Sequence, residues 1–460
     1  MGAFQLPRVV IAGLSGDGGK TLVSLGLVGA LRKAGLRVGA FKKGPDFIDA
    51  AWLARASGQV ARNLDTFLMP REAVLDSVAG SAGKCDIAVV EGNRGLFDGF
   101  DFQGSHSTAE LAKLISSPVV LVVDTTKVTR TVAALVKGCI ALDPDLSLEG
   151  VVLNRVGTLR QENLIRRAIE EDVGIPVLGA IPRLRDQHLP SRHLGLVTSV
   201  EHPAADAVLE KVAEVVRSSV DIEALIGLAR KAPKLEATDK QPNAPRVKNR
   251  VRIGILKDSA FSFYYPENLE ALEAAGGEVV EISPLEDDHV PEIEALYAGG
   301  GFPEIYAKGL SANVGFREAL AHQIRGGLPV WAECGGLMYL SEKLVMESGS
   351  YPMVGALPIV VEQTRKPQGH GYVEAQVDRK NPFLAMSTQL VGHEFHYSRL
   401  IQGTQPLSTA LKLNRGVGVG QGRDGIQKSS VLASYTHIHA LGVPDWGEAV
   451  VRASRGRGPN

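Results

Sequence analysis

Cysteine is scarce. The chain has three in 460 residues, Cys85, Cys139 and Cys334, and their spacing fits neither a disulfide framework nor a zinc site. An excess of charge of one sign is also missing: the formal net charge is −1, without the basic surplus that captures nucleic acid or anionic lipid. Any anionic substrate must then be held by a local site. No apolar run approaches the roughly 20 residues that cross a bilayer. Residues 1–7 lead into a strand-like segment with no basic region followed by a signal-type apolar stretch. Internal repeats and low-complexity tracts are not evident. At 44% hydrophobic and 22% charged residues, the expectation is a cytoplasmic globular protein of two or three domains, with no nucleic-acid or membrane partner.

What is present is an alternation. Short β-branched runs at 9–12, 38–41, 87–90, 119–123, 151–153 and 177–181 are separated by stretches of helical period at 21–33, 108–115, 131–141 and 162–171. That is the pattern of a parallel sheet with crossover helices. After a long helical stretch ending near Arg230 comes a polar, proline-containing segment, 231–250. Residues 233–249 of it are assigned as a linker between domains of residues 1–232 and 250–460. A second α/β pattern opens at 251–256 and continues through 278–282, 295–298 and 329–331.

The first strand runs into Gly13-Leu-Ser-Gly16-Asp-Gly18-Gly19-Lys20-Thr21, which opens a helix. Glycines there let backbone N–H groups approach phosphate, and the helix N-terminus adds a favourable dipole. Lys20 would neutralise the β/γ-phosphates of ATP and Thr21 would place its hydroxyl on Mg²⁺. The loop is one residue longer than the usual phosphate loop. Ligands of open parallel sheets bind at the carboxyl ends of strands, which groups the loop with Asp46 and Asp49 of GPDFID, with Glu91, and with Asp98. Thr21, Asp46 and Glu91 are the expected Mg²⁺ ligands, with the glycines, Lys20, Asp46, Asp49 and Asp98 on the nucleotide side. Asp49 has a rival role as cap of a helix over 50–56, and Asn154 is either a base contact or a turn residue.

In the second half, Val330-Trp-Ala-Glu-Cys334-Gly-Gly336 reads as strand, tight turn and helix, an elbow that presents cysteine as nucleophile. A helix N-terminus there is expected to lower the thiol pKa, with Gly335 N–H facing an oxyanion. The glycine-rich turn at 298–304 offers a second donor, and Ser434-Tyr-Thr-His437-Ile-His439 offers the base. The histidines of His393-Glu-Phe-His396 and His437-Ile-His439 lack the helix-spaced acid of a metalloprotease motif, so structural or substrate-contacting roles are expected of them.

Together these stretches resemble the cobyrinic acid a,c-diamide synthase family. The matching segments are GLSGDGGKT, FKKGPDFID, RNLDTFLM, VVEGNRGLFDG, GGGFPEIYA, WAECGGLMYL, GHEFHYS and SYTHIH, in family order. The resemblance implies an α/β chain with an N-terminal dethiobiotin-synthetase-like, phosphate-loop parallel-sheet domain and a C-terminal triad-type (class I) glutamine amidotransferase domain. It implies ATP-dependent amidation of the a- and c-side-chain carboxylates of a tetrapyrrole, with ammonia released from glutamine at Cys334; siroheme or a metallo-sirohydrochlorin is the alternative acceptor. Partners would be these small molecules, with a homodimer as an option. His437 is preferred as base over His439, which stands where other triad amidotransferases carry glutamate. Lys43, Phe47, Asn93 and Arg94 depart from the family pattern, and Lys43 and Arg94 are expected to add cations beside the acceptor. A partitioning or metal-delivery ATPase would need only the first half, and a binding module would not need the pairing of Cys334 with a histidine.

Overall fold

The β-branched runs become strands because each is buried on both faces, so side chains of either parity are apolar. The computed structural model describes residues 2–184, 191–192, 195–196, 198, 202–238, 250–401 and 407–456, and the chain divides into a unit of residues 1–241 and one of 242–460. Among the described residues, the first unit carries a seven-stranded sheet in the order Arg62–Leu64, Val38–Lys43, Ile87–Glu91, Arg8–Gly13, Val119–Asp124, Leu148–Val156, Val177–Pro182. All neighbours are parallel, so the ends at Gly13, Lys43 and Glu91 lie along one edge.

The stretch read as one long helix is two, Ala205–Ser219 and Ile222–Arg230. The break falls where Val220 bridges to Gly179 and Asp221 caps the second helix by accepting from Ala224 N at 2.9 Å. Part of the segment read as linker is built into this unit. The fully buried Arg8 guanidinium donates to Pro233 O at 2.8 Å, alongside the carbonyls of Leu6, Ile115 and Ser116. Leu235–Ala237 pairs antiparallel with Gly2–Phe4. Residues 239–249 of that segment lie outside the described residues.

The second unit holds, among the described residues, a ten-stranded mixed sheet. Five parallel strands come first: Gly277–Ile282, Val251–Leu256, Ala295–Ala298, Val330–Glu333 and Val431–Ser434. The antiparallel strands Arg423–Lys428, Thr409–Arg415, Gly369–Val377 and Gln389–His396 follow, and His437–Ile438 pairs on the last of these. The sheet therefore brings His393 directly opposite His437.

Helix Lys20–Lys33, which carries the phosphate loop, lies against Ala205–Ser219 through glycine. A Cβ on Gly26 would sit 2.3 Å from Val216 Cγ2 and 2.7 Å from Val212 O. Gly26→Ala should therefore destabilise the first unit by about 1–3 kcal/mol, overpacking outweighing the better helix propensity of alanine. A fall in the urea midpoint of that unit's transition checks it; an unchanged or higher midpoint refutes close contact at this crossing.

Candidate active sites

In the first unit the loop between Gly13 and Lys20 closes with Gly19 at φ 94°, a left-handed position that favours glycine. Lys20 is buried and folds back over Gly13, donating from Nζ to Ser15 O at 2.6 Å and Gly16 O at 3.3 Å. Asn154 Nδ2 donates to Gly18 O at 3.0 Å. Its side chain is buried against the loop, so it braces the phosphate loop.

Thr21 Oγ1 donates to Glu91 Oε1 at 2.6 Å. Glu91 also receives Lys42 Nζ at 2.9 Å, and Lys42 reaches Asp49 Oδ2 at 2.6 Å. Lys42 is the site residue that sequence reasoning passed over in favour of Lys43. The signal was available: lysine inside a strand buried on both faces needs a counter-charge. Lys43 is also buried, 3.5 Å from Asp65 Oδ2, and that pairing sets it apart from the exposed loop cation expected of it. Arg94 is exposed at φ 49°. Asp46, and not Asp49, caps helix Phe47–Ser57, accepting from Ile48 N at 2.8 Å and Asp49 N at 2.9 Å. Asp98 is exposed and closes its own loop, accepting from Gly95 N at 2.8 Å.

The charges explain one another. Burial alone would push the Lys42 ammonium down, but Asp49, Glu91 and Asp46 outweigh it and hold its pKa above the ordinary lysine range. Burial raises the Glu91 carboxyl against the pull of Lys42, and burial together with Asp49 raises Asp46. Lys20 is pushed down to about 8 by burial, with the Lys42 charge adding to the effect. Glu91 Oε2 is buried without a hydrogen-bond partner. An orphaned carboxylate oxygen beside the Thr21 hydroxyl suits a hard cation that takes one or two carboxylates and completes its shell from phosphate and water. Among the described residues, no group of three or more His, Cys, Asp or Glu is arranged to hold a metal by itself.

In the second unit the elbow is explicit. Cys334 follows strand Val330–Glu333 at φ 44°, ψ −96°, a strained conformation for a non-glycine residue, and helix Gly335–Leu340 begins at once. Both following glycines are required by close approach: a Cβ on Gly336 would lie 2.1 Å from Ala298 O, and one on Gly335 2.9 Å from Gly301 N. The thiol is not activated in advance. Burial raises its pKa strongly, the Glu304 charge adds to this, and the Gly335 N–H opposes it. The expected lowering by a helix N-terminus is overridden because the helix has six residues and the thiol is desolvated. Cys334 therefore needs a base.

His437 is placed for that role. A Cβ on Gly300 would touch its ring, 2.4 Å from Cε1 and 3.3 Å from Nε2, and strand Gly300–Gly301 also abuts Gly335. His437 Nδ1 lies 3.4 Å from Glu333 Oε2. His439 is engaged elsewhere: its Nδ1 accepts from Leu441 N at 3.3 Å and its Nε2 lies 3.5 Å from Glu267 Oε2. His393 stacks on His437 with centroids 4.9 Å apart and reaches Tyr265 Oη at 3.4 Å. Burial, with the charges of His437 and His439, holds it far below the usual histidine range. His396 stacks on Tyr435, and Glu394 accepts from Val417 N at 2.6 Å and Gly418 N at 2.8 Å, so these two members of GHEFHYS hold the scaffold together.

Residues 9–197 match the model of the CobQ/CobB/MinD/ParA nucleotide binding domain, and residues 252–444 that of the CobB/CobQ-like glutamine amidotransferase domain. The cobyrinate a,c-diamide synthase of Magnetococcus marinus is 42% identical over 99% of this chain and 98% of its own. That of Archaeoglobus fulgidus is 40% identical over 95% of both chains, and that of Dehalococcoides mccartyi strain 195 39% over 98% and 99%. The chain belongs to the cobyrinate a,c-diamide synthase family. Membership makes it a glutamine-hydrolysing, amide-forming ligase with a nucleotide-binding first domain, and the two sites above are the candidates for those activities.

With burial lowering Lys20 to about 8, triphosphate favours its charged form. ATP binding above about pH 8 should then take up a proton and weaken as pH rises. Calorimetry at about pH 8.5 in buffers of different ionisation heat should show uptake that Lys20→Met abolishes. Absence of uptake in the unaltered enzyme would contradict this.

Proposed function

We propose that the chain amidates the a- and c-side-chain carboxylates of a cobyrinate-type tetrapyrrole, drawing ammonia from glutamine and activation from ATP. The observation that carries this is the near full-length likeness to cobyrinate a,c-diamide synthases, together with Cys334 on its elbow and a His437 ring that borders the same Gly300–Gly301 segment as Gly335. Siroheme or a metallo-sirohydrochlorin, the other acceptor the sequence leaves open, has no observation in its favour. The proposal places the enzyme in a reducing cytoplasm, where Cys334 stays a thiol; among the described residues no helix is long and apolar enough to cross a membrane. It does not require a homodimer.

The chemistry answers two difficulties. A carboxylate is a poor acceptor for ammonia because oxide is a poor leaving group. Transfer of the γ-phosphoryl group to a carboxylate oxygen gives an acyl phosphate and ADP, and ammonia then displaces phosphate. Such transfer depends on positioning and charge rather than on covalent help. In this reading Lys20 leaves Ser15 O for the β/γ-phosphates, the loop N–H groups hold their oxygens, and Asp46 and Asp49 keep Lys42 charged beside Glu91. Thr21 and Glu91, with Asp46, would hold Mg²⁺, which when bound with ATP neutralises charge on the transferring phosphates. Asp98 takes a loop-shaping part.

The second difficulty is that ammonia near neutral pH is mostly ammonium. It must be made where it is used. His437 takes the Cys334 proton as the sulfur attacks the glutamine amide carbon, and returns it to the departing ammonia. The thioester is hydrolysed to glutamate. Gly335 N–H and a backbone donor from Gly300–Gly301 are the proposed oxyanion partners.

Two variants separate the halves. Cys334→Ser should abolish amidation from glutamine and keep it from added ammonia. Lys20→Ala should slow both routes by about 10²–10³-fold, as loss of one electrostatic contact does. Product mass after incubation with cobyrinate, ATP-Mg²⁺ and either nitrogen donor reads the outcome. Glutamine-supported product from Cys334→Ser, or normal ammonia-supported rates from Lys20→Ala, would overturn the corresponding assignment.

A further inference from the structure

A histidine paired with a thiol works best when one ring nitrogen is held by an acceptor, so that the proton sits on that side and the other nitrogen faces the sulfur. The residue two positions past His437 is His439, so an acidic acceptor must come from elsewhere in the fold. We propose that Glu333, the residue immediately before the nucleophile, is the positioning carboxylate of the glutaminase site and acts through His437 Nδ1. The inference rests on the reading of Cys334 and His437 as the reacting pair.

The geometry assigns the two edges of the ring. Glu333 Oε2 lies 3.4 Å from His437 Nδ1, with the side chains 1% and 3% exposed. Cε1 and Nε2 border Gly300, and Gly300–Gly301 is the segment against which Gly335 rests. With Nδ1 assigned to Glu333, Nε2 is the nitrogen left for the thiol. At 3.4 Å the approach of Glu333 to His437 is an ion-pair contact, of the kind that tightens into a hydrogen bond when substrate arrives.

Glu333 is itself held for the purpose. Its Oε1 accepts from Trp331 Nε1 at 2.9 Å and its Oε2 from Tyr297 Oη at 3.2 Å, while Ile438 N lies 3.5 Å from Oε1. Trp331 and Glu333 share one face of the elbow strand, as residues two apart must. These donors are neutral, so they fix the carboxylate without cancelling its charge.

The other titratable groups around the ring do not fill this place. His393, stacked on His437 from the neighbouring strand, is a neutral ring bonded towards Tyr265. His439 is bound by Leu441 N and faces Glu267. Glu333 supplies the negative charge nearest His437 Nδ1 among the ion pairs of the described residues.

The test uses the full chain and measures glutamate release, ammonia-supported amidation and their pH dependence. Glu333→Gln should lower kcat for glutamine about 10³-fold or more, with little change in KM. Its ammonia-supported amidation should continue, which establishes that the variant is folded. The acidic limb of kcat/KM should move to lower pH, because a carboxylate that favours imidazolium has been neutralised. Glu333→Asp should restore part of kcat and return the limb towards its original pH. Independently of any Glu333 variant, ¹⁵N imidazole shifts of His437, assigned by their loss in His437→Ala, should report a neutral ring protonated at Nδ1. An Nε2-protonated ring overturns the inference. If His437→Ala is inactive with glutamine while Glu333→Gln is unimpaired, the Glu333 role falls alone. If His437→Ala hydrolyses glutamine normally, the reacting pair falls and the inference with it.

Discussion

The first unit's chemistry depends on one buried ammonium. Lys42 Nζ sits between Asp49 and Glu91 at 2.6 and 2.9 Å, with its side chain 3% exposed. Three carboxylates gathered at the ends of parallel strands would repel one another, and burial raises the cost of each charge. Lys42 lets them coexist as anions. Removing one member of a buried pair typically costs about 3–5 kcal/mol, so this lysine is as much a condition for the fold of the site as for its reaction. The balance is deliberately incomplete: Glu91 keeps one oxygen without a partner, which leaves the site one ligand ready for a cation. Lys20 shows the same incompleteness. Its bonds to Ser15 O and Gly16 O hold the loop together and can be exchanged for phosphate oxygens at little net cost, since one charge-assisted contact replaces another.

The second unit meets the opposite requirement. On the proposed reading, Cys334 must stay neutral until glutamine is bound, because a standing thiolate invites oxidation and futile attack. Burial does this, raising the Cys334 pKa, and the strained φ of 44° at Cys334 is where the strand gives way to the helix. Strain of that kind persists only where surroundings over-determine it. Here Gly335 and Gly336 lie so close to Gly301 and Ala298 that no side chain fits, and Cys334 N is bound to Ser434 O at 2.7 Å.

Legibility in the sequence followed the physics of each element. The parallel strands of both halves announce themselves as apolar, β-branched runs, and the phosphate loop and the elbow are local in sequence, so Lys20, Thr21 and Cys334 could be named from spacing alone. The antiparallel strands between Gly369 and Lys428 are only partly buried and carry no such runs, and they went unread. They are what carries His393 to His437. Capping was misread between Asp46 and Asp49 because either offers a carboxylate to the same helix end; only backbone conformation separates them. Asn154 bonds to Gly18, 136 residues away, and Glu333 faces His437 across 104 positions; no local pattern announces such pairs. Glu333 was hidden by its own neighbourhood, since a residue beside a nucleophile in sequence ordinarily points away from it.

That separation between local motif and spatial partner also changes what the departures near the acceptor site mean. Lys43 is buried opposite Asp65. Asp65 in turn accepts from Phe67 N at 2.8 Å and Leu68 N at 3.2 Å, so the extra cation neutralises a carboxylate that shapes the RNLDTFLM turn. A buried charge with a nearby counter-charge is a scaffold feature, and its gain says little about which macrocycle is bound. Arg94 differs. It is exposed, in a left-handed conformation, between Asn93, whose N–H donates to Thr108 Oγ1 at 3.1 Å, and Gly95, whose N–H donates to Asp98 Oδ2 at 2.8 Å. A pinned backbone that projects a planar cation loses little entropy when it meets a second carboxylate of a polyacidic substrate. Of Lys43 and Arg94, only Arg94 is exposed.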